Sequence, residues 1–432
     1  MKKNKTVYIS LAADIIHSGH LNIIKRAHKY GDVIVGLMTD KAITEFKSIP
    51  LINYEQRYSI IKNIKYIKKI IKQDDWDDTY NLKKLKPDYT IHGDDWKKGV
   101  QKKLRKKVIK TIKTWGGKLI EVPYTKKISS TSIHEKIKSL YFNSDSRISI
   151  LSRLIKSQSL VRVMESHSAL TGLIIENLMI KKNNNSESFH AMWSSSLTDS
   201  TLRGKPDNQS VDYSTRILGL NEMMDVTTKP VIFDGDNGGR VEHIKFLVKS
   251  LERSGVSALV LEDKSGLKKN SLYKNQSGVK QESIFKFSKK LKAASLAKNS
   301  KDFYIVARIE SFILGKKLDD ALKRAEAYVK AGADAILIHS KLNNPKEIFL
   351  FSKKFKKSKF YRPIIAVPST YSKTYEKLLI KNGIKIVIYA NHLLRASYPS
   401  MLNTAKSILT NKRSYNIEKK LTSIGNILDL IK

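Results

Sequence analysis

Two of the ten histidines, His17 and His20, stand three apart across a glycine in DIIHSGHLNIIKRA, residues 14–27. If the preceding TVYISLA is a β-strand and Gly19 opens the next helix, both rings occupy a strand-to-helix turn. Free backbone N–H groups and the helix dipole favour an anion there, so the turn reads as a phosphate seat. A lysine would bring a long, mobile charge. An imidazole brings a short, directional donor that can be fixed against phosphate oxygens as charge builds in a transition state. Helix capping and metal ligation are the other uses open to the pair, but zinc needs a third protein ligand, and no second cluster with ligand spacing accompanies this one.

A different constellation lies further along the chain. FDGDNGG sets Asp234 and Asp236 two apart, on the same side of a strand end, and LEDKSGLKKNS adds Glu262. Three hard oxygens around one spot suit Mg²⁺, which takes carboxylates, water and substrate oxygen. Exposed acidic loops are the bland alternative. They are less expected in a chain with 81 Lys and Arg against 40 Asp and Glu. Arg308, in VARIE, offers a planar fork for a carboxylate or phosphonate, so a metal beside it implies a small dianionic substrate. SGLKKNS has no apolar face to pack and reads as a lid.

These groups need elements to hold them. From Thr6 to about Lys136, apolar runs alternate with helical segments: TVYISLA, a helix from Gly19 to Tyr30, DVIVGLMTD, a helix ending near Lys69, then PDYTIHGDD. That order predicts βαβ units in a Rossmann-like open parallel sheet. Eight short apolar runs follow: LVRVMES, FHAMWSSS, PVIFDGD, SALVLED, FYIVARIE, DAILIHS, PIIAVPS and KIVIYAN. Each precedes a plausible helix, which spells a (β/α)8 barrel with its chemistry at the carboxyl ends of the strands. Polar groups fall at those ends: Glu165, Ser194, Ser195, Asp234, Asp236, Glu262, Asp263, Arg308, Glu310, His339, Ser369 and Asn391. The Ser-rich stretch 137–159 reads as a linker between a first domain, 1–136, and a second, 160–432, that ends in a helical tail.

A length of 432 residues exceeds what one compact core usually supports. No apolar run reaches the roughly 18 residues of a membrane span, so no transmembrane helix is expected. The opening MKKNKTVYISLAADIIHSGH imitates a signal peptide, but Asp14 and His17 interrupt it, and it reads as the first strand of a cytoplasmic protein. The absence of cysteine excludes disulfides, thiolate zinc sites and cysteine nucleophiles. A net charge of +41 raises nucleic acid as a partner. The lysines are spread almost everywhere, however, and an excess of Lys, Asn and Ile reads as a genome bias. Even the densest run, Lys97–Lys113, places Val100, Leu104, Val108 and Ile112 at helical spacing, which describes an amphipathic helix with a solvated basic face.

HSGH after a first strand resembles the His-x-Gly-His signature of the cytidylyltransferase family. Asp40 in GDVIVGLMTD, Arg57 in YEQRYSII, Asp94, Asp95 and Trp96 in HGDDW, and Ser129, Ser130 and Thr131 in KKISSTSI match that family's motifs in order. The resemblance implies that His17 and His20 stabilise the pentacoordinate phosphorus when an acceptor attacks CTP. It also implies nucleotide or acceptor contacts at Asp14, Asp40, Lys47, Arg57, Asp94, Lys126, Ser129, Ser130 and Thr131. Ser130 and Thr131 would hold the β and γ phosphates, Lys47 the acceptor's anionic group, and Asp94 would face the nucleotide. Where the family often carries arginines around the last motif, this chain has Lys126 or Lys127 and His134, which give up bidentate geometry.

EDKSGLKKNS, Glu262 to Ser271, resembles the Glu-Asp-Lys-x5-Asn-Ser motif of phosphoenolpyruvate mutase, within the isocitrate lyase superfamily. Trp193, Ser195 and Leu197 in WSSSL, Asp207 in KPDNQ, Asp234, Asp236, Arg308, His339 and NHLLRAS follow the same pattern in order. The resemblance implies isomerisation of phosphoenolpyruvate to 3-phosphonopyruvate. Mg²⁺ would sit at Asp234, Asp236 and Glu262, and Arg308 and His339 would clamp the migrating group. Trp193, Ser195, Leu197 and Ser271 would bind phosphoenolpyruvate, Lys268 and Asn270 would close a lid, and Asp207 would act as nucleophile or orienter. Lyases of the superfamily that use a cysteine acid are excluded.

The whole chain resembles bifunctional cytidylyltransferase/phosphoenolpyruvate mutases of the fosfomycin-biosynthesis type. That implies Mg²⁺ at both sites, CTP as a substrate, a phosphonate such as 2-hydroxyethylphosphonate or 2-aminoethylphosphonate as CMP acceptor, and a homo-oligomer, by analogy a tetramer. Two rivals are a barrel that hydrolyses phosphonopyruvate, against which Asn270 counts, and a basic nucleic-acid-binding scaffold with inactive enzyme remnants.

Overall fold

The computed structural model describes residues 5–45, 49–97, 101–123, 144–182, 185–266, 268–273 and 275–431. The chain forms two compact units, one of Met1–Phe142 with Lys156–Gln158 and Met179–Glu187, the other of the remaining residues.

In the first unit, strands β1 (Thr6–Leu11), β2 (Asp32–Met38), β3 (Ile67–Gln73), β4 (Tyr89–Gly93) and β5 (Lys118–Val122) form a parallel sheet in the order β3-β2-β1-β4-β5. Alternation along β1 explains its two faces. Val7, Ile9 and Leu11 pack with Ile24 and Ala27 of the helix Ser18–His28, while Tyr8 packs opposite with Leu82, Trp96, Val108 and Ile112. Tyr8 Oη donates to Gln73 Oε1 at 2.8 Å and crosses Gly36, where an added Cβ would lie 2.0 Å from the hydroxyl. Gly36→Ala is therefore expected to displace the ring and lower stability by about 1–3 kcal/mol, read as a fall in thermal midpoint.

The expected helix ending near Lys69 is corrected: the helix is Tyr54–Lys62 and IKKIIKQ is the edge strand β3. Its β-branched isoleucines favour a pleated surface, and lysines on an edge discourage pairing with other chains. The basic helix is Lys102–Lys113, with Val108 and Ile112 buried as expected; Val100 lies outside the described residues.

Short antiparallel pairs join β7 (Ile180–Lys182) to β8 (Asn185–Glu187) and, in the second unit, β12 (Lys264–Ser265) to β13 (Lys280–Gln281). The barrel itself consists of β6 (Val161–Glu165), β9 (Ala191–Ser194), β10 (Val231–Asp234), β11 (Ala258–Glu262), β14 (Tyr304–Ile309), β15 (Ala335–Ile338), β16 (Ile364–Ala366) and β17 (Ile384–Tyr389). These are the eight expected runs, and the ring closes where β17 and β9 both pair with β6. Outer helices bury one stripe each; Val241–Arg253 buries Ile244, Leu247, Val248 and Leu251 at helical spacing.

Part of the stretch expected to be a linker is built into this unit. Helix Ser144–Ser157 buries Ile148, Leu151, Leu154 and Ile155, and Arg147 Nη2 donates to the carbonyls of Met224 and Thr227 at 3.0 and 2.5 Å. Its serines hid a 3.6-residue apolar stripe. Among the described residues, no helix is long and apolar enough to cross a membrane.

Candidate functional site

The carboxyl ends of the barrel strands surround a cavity lined by polar groups from several strands, among them Ser195, Asp234, Glu262, Arg308 and His339. Its acids sit on β10 and β11. Asp234, Asp236 and Glu262 are 5, 3 and 2% exposed. Gly235 lets the chain turn between the aspartates, since an added Cβ would lie 2.5 Å from Leu259 Cδ1 and 3.0 Å from the Val260 carbonyl. Ser196 Oγ donates to Asp234 Oδ2 at 3.0 Å, and buried Arg216 spans Asp199 and the Asp234 carbonyl at 2.8 and 2.6 Å. Burial works to raise all three acids. Lys268 and Arg308 overcome it at Asp234, which is lowered, whereas at Asp236 burial and the neighbouring Asp234 outweigh Lys268 and Arg216. Glu262 is pushed up to about 7 by burial, against the pull of Arg308. Both Glu262 carboxylate oxygens are buried without a hydrogen-bond partner. Among the described residues, no three acids or imidazoles form a ready-made metal cage. Instead the Lys268 ammonium pairs with Asp236, and with Asp207 Oδ1 at 2.7 Å. The donor set nonetheless fits a hard divalent cation: oxygens only, with Asp236 Oδ1 and both Glu262 oxygens lacking a hydrogen bond.

Beside the acids, Arg308 Nε donates to Glu310 Oε1 at 2.6 Å and Nη2 to Ser271 Oγ at 2.8 Å, while Nη2 lies 3.5 Å from Glu262. Nη2 also stands 3.3 Å from His339 Nδ1. Burial lowers the His339 pKa and keeps the ring neutral. With Arg308 donating to Nδ1, the proton belongs on Nε2, which is buried and has no partner. Glu310 anchors the group: it also accepts from Ser271 Oγ at 2.6 Å and pairs with Lys264 at 3.1 Å, and those cations hold it well below the usual carboxylate range despite its burial.

The loop after β11 forms the remaining wall. Lys268 Nζ also donates to Ser196 Oγ, and Asn270 Nδ2 donates to Asp207 Oδ2 at 2.9 Å, so both Asp207 oxygens are held by the loop. Trp193, Ser195 and Leu197 also line the cavity, and Leu337, Val367, Ser369 and Asn391 complete it.

In the first unit, the order of strands reverses between β1 and β4, and such a reversal opens a crevice beyond the carboxyl ends. His17 caps the helix Ser18–His28: its Nδ1 accepts from Gly19 N at 3.1 Å, and His20 Nδ1 accepts from His17 N at 3.4 Å. The rings lie 4.1 Å apart. Because each Nδ1 accepts, each neutral ring carries its proton on Nε2. Burial lowers the His17 pKa, which favours that neutral form. Asp14 Oδ1 accepts from Ile52 N at 3.3 Å, and Asp94 begins the short turn after β4. Arg57 is fully buried and donates to the carbonyls of Ile52, Ala12 and Met38 and to Asp40 Oδ1, the last at 2.7 Å. It ties the ends of β1 and β2 together. Lys47, Lys126, Ser129, Ser130 and Thr131 lie outside the described residues.

Comparison with known proteins agrees with both arrangements. The phosphoenolpyruvate phosphomutase model matches residues 151–409. The chain belongs to the phosphoenolpyruvate phosphomutase family. A cytidylyltransferase-like model matches residues 12–136, so this mutase-family barrel follows a cytidylyltransferase-like N-terminal domain. The phosphoenolpyruvate phosphomutase of Tetrahymena pyriformis is 36% identical over 67% of this chain and 93% of its own length. The ethanolamine-phosphate cytidylyltransferase of Dictyostelium discoideum is 30% identical over 31% of this chain and 36% of its own. Among solved structures, the phosphoenolpyruvate phosphomutase of Streptomyces platensis subsp. rosaceus matches with a TM-score of 0.60 and 31% identity, covering 67% of this chain and 95% of that one. A phosphonopyruvate hydrolase bound to oxalate and Mg²⁺ matches at 0.58 and 27% identity, over 67% and 95%.

The residues assigned to Mg²⁺, to phosphoenolpyruvate, to the lid and to the clamp line the cavity, apart from Asp236, which pairs with Lys268 of its wall. Three partners escaped motif reading. Arg216 comes from a helix without a motif, Ser196 is the last serine of WSSSL, beside Ser195, and Lys264 lies inside EDK. Glu310 was visible only as a charged strand end.

Proposed function

We propose that the mutase-type barrel isomerises phosphoenolpyruvate to 3-phosphonopyruvate, and that the N-terminal domain transfers CMP from CTP to a phosphonate such as 2-hydroxyethylphosphonate or 2-aminoethylphosphonate. One juxtaposition carries the first half: orphaned Glu262 oxygens, the Arg308 fork and the unpartnered Nε2 of a neutral His339 meet in one cavity. In this reading the bond from phosphorus to the enol oxygen breaks and one to C3 forms, with no water consumed. Arg308 and the His339 Nε2–H hold the phosphoryl oxygens as charge redistributes. Ser195 and the Leu197 backbone seat the carboxylate. Asp234, Asp236 and Glu262 would hold Mg²⁺, which when bound supplies a Lewis acid for the enolate oxygen. Lys268 and Asn270 close the wall against water, and their grip on both Asp207 oxygens supports that residue as an orienting group rather than a nucleophile. Chelation with EDTA is expected to abolish isomerisation and added Mg²⁺ to restore it, measured by ³¹P NMR.

For CMP transfer, a phosphonate oxygen attacks the α-phosphorus of CTP in line and pyrophosphate leaves. The acceptor oxygen is already anionic, so no strong base is needed. His17 and His20 supply Nε2–H donors at the turn. Protonating His17 at Nδ1 would break its bond to Gly19 N, so the neutral ring is the working form. Its lowered pKa places that loss on the acid side: the transfer rate is expected to hold from neutral pH down to below the ordinary histidine value of 6.5 and then fall as acid is added. His17→Asn, which carries no titrating ring at the turn, is expected to remove that acid limb. ³¹P NMR of the protein with Mg²⁺, CTP and a panel of phosphonates and phosphate monoesters tests the assignment. A CMP-phosphonate with pyrophosphate is expected; transfer to a phosphate monoester alone would overturn it.

The setting that fits is a cytoplasmic homo-oligomer, a tetramer by analogy with the superfamily. Helix His392–Asn411 buries none of its residues and exposes Tyr398, Met401 and Leu409, which supports association.

A further inference from the structure

Around the mouth of the barrel, seven strands end in groups that already have a part in the proposed chemistry or its cavity wall. The first strand, β6, ends in Glu165, which points elsewhere. Fully buried, Glu165 accepts from Leu393 N at 3.0 Å and from Leu394 N at 3.3 Å, and its other oxygen pairs with His167. Those two amides are the N2 and N3 positions of the helix His392–Asn411, whose N-cap is Asn391.

Asparagine is among the best N-cap residues because its side-chain oxygen takes the N–H of N2 or N3. Here it makes no such bond. Glu165 has taken both donors, so Asn391 is relieved of capping. Its side chain is 8% exposed, lines the cavity, and has a buried Oδ1 without a hydrogen-bond partner. A buried amide left unpaired costs free energy unless something else completes it. In the ring of strands, β17 lies two places beyond β15, which carries His339, with only β16 and Ser369 between. His339 Nε2 is likewise buried and unpartnered. Rotating the terminal amide of Asn391 by half a turn presents an NH₂ donor in place of the oxygen. Both groups then offer an N–H to the same side of the cavity, across the barrel from the acids.

We infer that Asn391 is a substrate-binding residue whose side-chain amide donates to an oxygen of the migrating phosphoryl group, shared with His339 Nε2, and that Glu165 frees it for this by capping the helix in its place. The inference rests on the isomerisation proposed above and adds a contact that shields the group from water while it is bonded to neither oxygen nor carbon.

The test supplies phosphonopyruvate and Mg²⁺ to the full-length protein, Asn391→Ala and Asn391→Asp. ³¹P NMR counts phosphoenolpyruvate against inorganic phosphate, and thermal unfolding is followed in parallel. Asn391→Ala is expected to keep its thermal midpoint, because Glu165 still caps the helix. It should lower kcat roughly ten- to a hundredfold, as for loss of one hydrogen bond to a charged group, and raise the fraction of turnovers ending in phosphate. Asn391→Asp, which sets an anion against the phosphoryl oxygens, should be slower still. A lowered midpoint with an unchanged product ratio would mean a structural role and overturn the inference. A raised KM with unchanged kcat and product ratio would place the amide on the carboxylate and overturn it too. If the wild type itself forms no phosphoenolpyruvate, the isomerase reading fails first, and the two failures are told apart by that control.

Discussion

Arg308→Ala is expected to lower the interconversion of phosphonopyruvate and phosphoenolpyruvate by roughly 10²–10³-fold or more, the effect of removing one donor aimed at transition-state charge. CMP transfer from CTP should be unchanged. The size of the first effect follows from how fully the guanidinium is fixed. Nε is held by Glu310, and Nη2 by Ser271 and the His339 ring, so the fork reaches the cavity already oriented beside Glu262. Truncation also leaves Glu262 and Glu310 buried with less positive charge around them, which costs about 3–5 kcal/mol where a buried partner is lost. Arg308→Lys separates the two effects. It restores a charge against those carboxylates but not the planar fork, so the variant should recover thermal stability while activity stays low. Recovery of full activity by lysine would show that only charge matters at this position.

His17→Ala should have the converse result, a loss of roughly 10²–10³-fold in CMP transfer with isomerisation intact. The substitution also removes a helix cap worth about 1 kcal/mol. His17→Asn controls for that. Asparagine caps as well as the ring does but places no N–H where Nε2 stands, so it should restore stability without restoring transfer. Coupled enzymatic release of pyrophosphate measures the rate. Loss of both activities in either His17→Ala or Arg308→Ala would argue against independent sites.

The acids and cations of the barrel were legible because strand ends repeat. A polar residue after each short apolar run recurs at Asp234, Glu262, Arg308 and His339, and the barrel brings those ends together without any pattern linking them in sequence. The His17 turn was legible for the same local reason. What stayed hidden depends on tertiary pairing. Arg216 supports Asp234 from a helix whose sequence has no motif, and Glu310 acquires its role only when Arg308, Ser271 and Lys264 converge on it. Arg57 also donates to main-chain carbonyls at the ends of β1 and β2 and to Asp40, a use that periodicity does not reveal. Lysine-rich IKKIIKQ reads equally well as an amphipathic helix end or an edge strand, and pairing with β2 decides it. Asn391 is the strongest case. A good N-cap residue at a helix start gives no hint that a glutamate far away in sequence has taken its donors.

The most direct measurement follows ³¹P NMR of phosphonopyruvate incubated with the intact protein and Mg²⁺. Expected is conversion of the phosphonate resonance into that of phosphoenolpyruvate, abolished in Arg308→Ala. Release of pyruvate and inorganic phosphate with no phosphoenolpyruvate at any time would contradict a barrel that moves phosphorus between oxygen and carbon.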